Sequence, residues 1–316
     1  MRIKKPLALL LALALLLCGC GAPGAAAPPQ LERSVSSASA SAVSAKTGGY
    51  VAPPFEDAVF NEAAAEGAAN ARLDLSSVEK GYVAVSAVSD KRLKFQVICG
   101  EETYTYNLPG DGTPTIFPLS CGNGSYRFRV MENVAEKKYA EAYSTSRNVT
   151  LQDEFQPFLR PNVYVPYNAG SDCVKKAAEL AAGADSEIDV VAAVYRFIGA
   201  TVRYDREKAE TVASGYLPDP DETMRTGKGI CFDYAALAAS MLRSQGIPTK
   251  EIFGYVSPDD VYHAWNMFYT AESGWVTVSF ETSKDDWNRM DMTFAANGAD
   301  DKFIGDGSNY SDLYWY

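Results

Sequence analysis

The sequence contains 316 residues, of which 47% are hydrophobic and 22% are charged. This length suffices for one large domain or two modest ones with a substantial core. The net charge of −11 argues against nucleic acid and other anionic polymers as ligands, because like charges repel each other. The six cysteines fit no metal-binding spacing and the chain has one histidine, so we expect neither a metal site nor a cofactor.

The first 20 residues are typical of a processing segment rather than of a folded domain. Residues 2–5 carry three positive charges, and the apolar run over residues 7–17 is too short to cross a bilayer as a helix. This run ends in Leu17-Cys18-Gly19-Cys20, which resembles a bacterial lipobox. We therefore expect residues 1–20 to be a lipoprotein signal peptide, with lipidated Cys20 anchoring the mature chain to the outer face of the cell membrane. The alternative is an ordinary signal peptide that is cleaved near Ala22.

The residues that follow the predicted signal peptide, 21–47, are mostly alanine, serine, proline and glycine. This composition cannot build a packed core and is typical of a disordered, flexible tether with a root-mean-square reach of about 30 Å. Loss of the three cations of the leader leaves 26 basic against 40 acidic residues, a net charge of −14. We expect an acidic folded region that this tether holds clear of the membrane surface.

Short runs of alternating apolar and polar residues fill the region from 80 to 152, as at Leu93, Phe95 and Val97. Clusters of glycine and proline separate these runs. Six or seven short strands at such spacing predict a small antiparallel β-sandwich-like domain over residues 80–152. The residues from 50 to 79 are interpreted as a mixed, partly helical segment that leads into it.

From about residue 171 the apolar residues recur at the spacing of a helix rather than at every second position. Ser171 is placed to cap a first helix, which ends at Gly183. A second helix begins at Asp185 or Ser186, and its apolar stripe consists of Ile188, Val191, Tyr195, Ile198 and Val202. A loop with two prolines is predicted over residues 215–221.

Residues 227–248 are typical of a glycine-rich turn, a helix and a Gly-x-Pro stop. Cys231 begins this helix. The unpaired N–H groups and the positive dipole end at a helix N-terminus favour thiolate over thiol, and they can also hold the oxyanion of a tetrahedral intermediate. Cys231 is therefore the candidate nucleophile, whereas buried thiols are the expectation for Cys99, Cys121 and Cys173.

Three strands are predicted after this helix, over residues 250–256, 262–269 and 274–282, with a short hairpin between the last two. The second strand carries His263. A helix that bears a thiol would thus pack on an antiparallel sheet that bears an imidazole. A cysteine and a histidine assembled in this way are the apparatus of nucleophilic acyl transfer, with His263 as the candidate base.

Four motifs, taken in order, resemble the core of the transglutaminase-like superfamily, and the resemblance covers about residues 185–285. They are Gly229-x-Cys231-x-Asp233-Tyr234-Ala235-x-Leu237, Gly246-Ile247-Pro248, Gly254-Tyr255 and His263-Ala264-Trp265. The resemblance implies a papain-like arrangement in which the cysteine attacks a carbonyl, the histidine deprotonates the cysteine and an aspartate orients the histidine. The expected fold class is α+β. A transglutaminase-like domain over residues 160–316, with N-terminal helices packed on an antiparallel sheet, follows the β-sandwich-like domain.

The sequence departs from the family pattern at one position. Members of the family carry aspartate four residues after the tryptophan of the last strand, where this chain has Ser279. If the hairpin is centred near Glu272, Glu281 faces His263 on one side of the sheet, with their Cβ atoms about 5 Å apart. We therefore expect Glu281 to orient the imidazole. Ser279 (directly or through water), Asp285, another residue and the absence of any orienting residue remain the alternatives.

These observations predict an extracytoplasmic cysteine acyl-transfer enzyme that uses Cys231, His263 and Glu281. Water as acyl acceptor would make it a peptidase or amidase, and an amine would make it a cross-linking transglutaminase. The family resemblance and the expected location imply protein or peptidoglycan peptides as substrates, with the membrane as a second partner through Cys20. The alternative is a catalytically degenerate domain that binds peptides or the cell wall without turnover.

Overall fold

The computed structural model describes residues 49–256, 261–281, 289–293 and 310–316. The predicted signal peptide and tether lie outside these residues. None of the helices in the described ranges combines the length and the apolar character needed to cross a bilayer.

The region between residues 66 and 149 forms eight strands. They are β1 Glu66–Ala68, β2 Ala71–Asp74, β3 Tyr82–Ala87, β4 Leu93–Cys99, β5 Glu102–Leu108, β6 Thr115–Pro118, β7 Gly124–Ala135 and β8 Lys138–Val149. They build two antiparallel four-stranded sheets, one in the order β1-β2-β3-β6 and the other in the order β5-β4-β7-β8.

The two sheets bury their apolar faces in one core, as the alternating pattern predicts. Val85 and Phe117 come from the first sheet, and Phe95 and Phe128 come from the second. The structure differs from the sequence interpretation before residue 80, where the expected partly helical segment contains the β1–β2 hairpin and a single 3₁₀ turn at Val78–Lys80.

The α-helices of the described residues lie between Asp172 and Ser244. They are α1 Asp172–Ala181, α2 Glu187–Thr201, α3 Arg206–Thr211, α4 Pro220–Thr226 and α5 Cys231–Ser244. The first two begin where the sequence predicts, after Ser171 and Ser186, and Ser186 accepts a hydrogen bond from the Asp189 N–H as a helix N-cap does. Helices α3 and α4 were not predicted, and α4 begins inside the expected loop. A two-stranded parallel ladder joins β9 Arg203–Tyr204 to β10 Lys228–Gly229 immediately before α5.

A five-stranded antiparallel sheet packs against α5. Its strands are β11 Thr249–Val256, β12 Val261–Thr270, β13 Gly274–Glu281, β14 Arg289–Thr293 and β15 Tyr310–Trp315, in the order β14-β13-β12-β11-β15. The fold is therefore α+β, with helices packed on an antiparallel sheet and a β-sandwich before them, which confirms the predicted fold class. The boundary between the two predicted domains stays a prediction.

Candidate active site

The turn before α5 fixes where Cys231 lies. Gly227 ends α4 in the left-handed conformation, with φ at +64°, which glycine adopts without strain. A Cβ atom on Gly229 would lie 2.6 Å from the Cβ atom of Asp233, so this position requires glycine as well. The chain thereby turns sharply and Cys231 becomes the first residue of the helix, as the sequence predicts.

A buried charge cluster holds the first turn of α5. The Asp233 side chain is fully buried, and its carboxylate accepts the Ile230 N–H at 2.8 Å, which caps the helix N-terminus. The same carboxylate accepts hydrogen bonds from Lys208 Nζ at 2.6 Å and from the Tyr216 hydroxyl at 2.5 Å. Asp233 thus links the residues beside Cys231 to α3 and to the loop that follows α3.

The Cys231 thiol lies against the backbone of β12. The backbone N–H groups of Ala264 and Phe232 lie close enough to the thiol to lower its pKa. Ala264 directly follows His263, and its side chain is buried in the same apolar cluster as Ala235 of α5. The structure therefore brings Cys231 to the strand position that carries the candidate base.

His263 projects from the other side of β12. Side chains alternate along a strand, and Asn266 faces the helices, because its amide donates to the Ala235 carbonyl and accepts from the Tyr195 hydroxyl. His263 and Trp265 therefore share the opposite face, where their rings stack with centroids 6.4 Å apart. The thiol and the imidazole flank the backbone of one strand from its two sides.

Burial dominates the electrostatics of both groups. It raises the pKa of the Cys231 thiol above its ordinary value, although the nearby backbone N–H groups of Ala264 and Phe232 act in the opposite direction. It lowers the pKa of His263 from 6.5 to about 4. At neutral pH the site therefore holds a thiol and a neutral imidazole. The expected effect of the helix N-terminus on the thiol is present, but the loss of hydration outweighs it.

The register of the sheet bears on the residue that orients His263. Strands β12 and β13 pair from Asn266–Val278 to Thr270–Gly274, which centres the hairpin at Glu272 as predicted. The observed pairing ends at Asn266 and Val278, before it reaches His263, and the side chains of Ser279 and Glu281 lie outside the described part of the structure. Asp285 also lies outside it. The role of Glu281 stays a prediction.

Strand β14 adds a carboxylate that the sequence interpretation missed. Asp291 is the register partner of Ser279, so it lies beside the position where the family carries aspartate. The alternation of apolar and polar residues in Arg289–Thr293 was the available signal, because it marks a short strand with Asp291 at its centre. Asp291 therefore joins Glu281 as a candidate by position.

A cavity of about 360 Å³ opens beside Cys231. Ile230 and Phe232, the two neighbours of Cys231, line it, as does Tyr262, the residue before His263. The remaining wall includes residues 212–217 and the aromatic rings of Tyr106, Tyr164, Phe253 and Tyr316. A concave, largely apolar space next to a nucleophile candidate is the common form of a small-ligand or side-chain binding site.

Comparison with known proteins identifies the part of the chain that holds this site. The family model for the transglutaminase-like superfamily matches residues 174–280. A UPF0252 protein of Methanocaldococcus jannaschii is 28% identical over 110 residues, covering 33% of this chain and 30% of that protein. An uncharacterized protein of Mycobacterium leprae is 28% identical over 141 residues, covering 41% of this chain and 46% of that protein. The chain thus spans less than half the length of these relatives.

Solved structures show more distant likeness. Red sea bream transglutaminase is 14% identical with a TM-score of 0.31, covering 63% of this chain and 47% of that chain. The periplasmic domain of TgpA from Pseudomonas aeruginosa is 15% identical with a TM-score of 0.33, covering 68% of this chain and 93% of that chain. Similarity at this level carries no argument about activity. The family match, with the four motifs in order and a helix that begins at Cys231 against an antiparallel sheet, shows that residues 174–280 form a domain of the transglutaminase-like superfamily.

Proposed function

We propose that this protein is a cysteine acyl-transfer enzyme that acts on peptide amides, with Cys231 as nucleophile and His263 as base. The observation that carries this proposal is the position of the Cys231 thiol. It lies at a helix N-terminus, near the backbone N–H of Ala264 beside His263, and next to a cavity lined by both of its chain neighbours. In this geometry a thiol can attack a carbonyl that is held beside it while another part of the substrate occupies the cavity.

The chemistry follows from the protonation states of the two groups. Cys231 rests as a thiol and His263 as a neutral imidazole, so the proton passes to the imidazole as the sulfur attacks the carbonyl carbon. N–H groups at the start of α5 stabilise the oxyanion. The imidazolium then protonates the leaving amine, and a thioester remains. Water releases an acid from this thioester, whereas a second amine releases a new amide. The imidazole must move from its stacked position beside Trp265 to reach the thiol.

Hydrolysis of a peptide pool and incorporation of a dansylated amine into casein test this proposal. We expect the wild-type protein to perform at least one of the two reactions. Cys231→Ala should abolish it, and His263→Ala should lower kcat about 10²- to 10⁴-fold, because a positioned base contributes that much. Cys121→Ser, which changes another partly exposed thiol, is the matched control and should retain activity. Undiminished turnover in Cys231→Ala would contradict the proposal.

A binding module without turnover is the second candidate, and the resting state of the two groups favours it. Burial works against a thiolate at Cys231 and against an imidazolium at His263, and the two side chains flank β12 from opposite sides. In that case peptides or cell-wall fragments would bind in the cavity beside Cys231. Calorimetry separates the two functions, since a binding module would bind peptides with equal affinity before and after Cys231→Ala and would release no product.

We further propose that lipidated Cys20 anchors the protein to the outer face of the membrane, where protein or peptidoglycan peptides are its substrates. The lipobox-like Leu17-Cys18-Gly19-Cys20 and the acidic, tethered folded region support this proposal. Metabolic labelling with an alkyne fatty acid should mark the wild-type protein and Cys18→Ser, but not Cys20→Ser. Labelling that survives in Cys20→Ser would contradict it.

A further inference from the structure

The cavity beside Cys231 has an unusual lining for a protein with a net charge of −11. None of the 15 residues that line it has a side chain that is ionised at neutral pH, and seven of them are tyrosine or phenylalanine residues from distant parts of the chain. They are Tyr106, Tyr164, Tyr216, Phe232, Phe253, Tyr262 and Tyr316. A charged side chain that entered this space would lose its hydration without gaining an opposite charge, which is unfavourable.

One segment of the wall stands apart because it is a loop. All residues from 212 to 217 line the cavity, and we call this segment the pocket loop. Its two ends are apolar and accessible, since Val212 is 36% exposed and Leu217 is 44% exposed. Tyr262, another residue of the cavity wall, is 54% exposed. Large apolar side chains that stay in contact with water around one opening are typical of a binding surface.

The pocket loop is fixed to the start of α5. Tyr216 belongs to the loop and lines the cavity, while its hydroxyl donates to the Asp233 carboxylate at 2.5 Å. Lys208, in helix α3 before the loop, donates to the same carboxylate and to the Tyr216 hydroxyl at 2.7 Å. The wall of the cavity is therefore held at a set position relative to Cys231 by a buried anchor, so the cavity exists before a ligand binds.

We propose that the pocket loop forms a specificity subsite, which takes an uncharged aromatic or aliphatic side chain of the peptide whose amide lies at Cys231. This inference rests on the proposed acyl-transfer function and narrows its substrate class. A volume of about 360 Å³ between Ile230, Phe232 and Tyr262 places such a side chain within a residue or two of the attacked carbonyl. Burial of its apolar surface against the rings supplies the affinity.

Labelling of Cys231 by matched electrophiles tests the subsite. The probes are acyl-dipeptide vinyl sulfones that differ in one side chain, which is phenylalanine, leucine, glutamate or lysine. In each case the sulfur adds to the vinyl carbon β to the sulfone, and the thiol proton ends on the carbon next to the sulfone. We expect the phenylalanine and leucine probes to label Cys231 at least about tenfold faster than the glutamate and lysine probes, as measured by mass spectrometry of the peptide that contains Cys231.

Leu217→Glu supplies the sharper comparison. It places a carboxylate in the pocket loop at an accessible position, so it should remove most of the preference for phenylalanine and increase labelling by the lysine probe. Leu313→Glu is the matched control, because Leu313 is 43% exposed in β15 and does not line the cavity. Its probe preferences should equal those of the wild-type protein.

Iodoacetamide, which has no side chain to recognise, distinguishes the possible failures. Equal rates for all four probes, together with normal labelling by iodoacetamide, would overturn the subsite and leave the nucleophile in place. A Leu217→Glu protein with unchanged preferences would overturn the role of the pocket loop. Failure of every electrophile to label Cys231 would instead contradict the proposed acyl-transfer function.

Discussion

Burial sets the protonation state of both candidate catalytic side chains. At Cys231 it raises the pKa of the thiol and outweighs the nearby N–H groups of Ala264 and Phe232. Cys231 packs against the apolar cluster that contains the β-sandwich core and Tyr316, so part of its burial comes from residues far away in sequence. At His263 burial is the cause of the lowered pKa.

The single histidine of the chain makes its titration directly measurable. Burial lowers the pKa of His263 to about 4, so its imidazole NMR signals should titrate near pH 4 rather than near 6.5. Between these pH values the unfolded chain binds a proton that the folded chain does not bind. The free energy of unfolding should therefore fall as the pH decreases from 6.5 to 4, by about 3 kcal/mol from this residue.

His263→Gln serves as the reference for this prediction, because it removes the titrating group and keeps a polar side chain. Chemical unfolding of both proteins at several pH values isolates the contribution of His263 as a difference between the two curves. Parallel curves between pH 6.5 and pH 4, or an imidazole that titrates near 6.5, would show that His263 is hydrated in the folded protein.

At the scale of elements, helix α5 was the most predictable part of the fold. Glycines precede it, an apolar stripe runs along it and Gly246 with Pro248 ends it, so local signals agree with each other over its whole length. The β12–β13 hairpin was equally predictable, since its register follows from the alternation of residues on both sides of Glu272.

The elements that were missed are short, and their signals are local rather than periodic. Helix α3 has six residues with no apolar stripe, and its place is set by the bond of Lys208 to Asp233. Helix α4 did carry a signal, because Asp219 caps it, Pro220 follows at the first helical position and acidic residues fill its first turn. The two prolines between residues 215 and 221 were interpreted as a loop, although one of them starts a helix.

Arg243 shows how α5 joins other elements in a way that no sequence pattern indicates. Its buried guanidinium donates to the carbonyl groups of Thr249 at 2.7 Å, Arg160 at 2.7 Å and Tyr316 at 2.6 Å. These three carbonyls belong to β11, to the segment before α1 and to the residue after β15. One side chain thus donates to buried backbone acceptors from three separate segments. The planar guanidinium of arginine has donors that point in these different directions, whereas the compact ammonium group of lysine does not.

Within the described residues, an apolar core crosses the predicted boundary between the β-sandwich-like domain and the transglutaminase-like domain. The cluster that fills the β-sandwich also contains Ala235 from α5, Phe253 from β11, Ala264 from β12 and Tyr316. Ala264 is the residue whose N–H contacts the Cys231 thiol. We therefore expect the β-sandwich to contribute to the stability of the active-site strands and not to fold as an independent unit.

Phe128→Ala tests this coupling. Phe128 is fully buried in the sandwich, so its truncation should lower the free energy of unfolding by about 3–5 kcal/mol. All four tryptophans of the chain, Trp265, Trp275, Trp287 and Trp315, lie in the second half of the sequence. If the core is shared, the urea midpoint followed by tryptophan fluorescence should decrease together with the midpoint followed by far-ultraviolet circular dichroism.

Thr103→Ala, at an exposed position of β5 in the same sandwich, is the control and should leave both midpoints in place. An independent sandwich would behave differently. Phe128→Ala would then lower only the part of the dichroism transition that comes from the sandwich, and the tryptophan midpoint would match that of the wild-type protein. If both midpoints instead decrease together, a change in the sandwich destabilises β12, the strand against which Cys231 packs. The reason is that Phe128 and Ala264, which are more than 100 residues apart in sequence, are buried in one core.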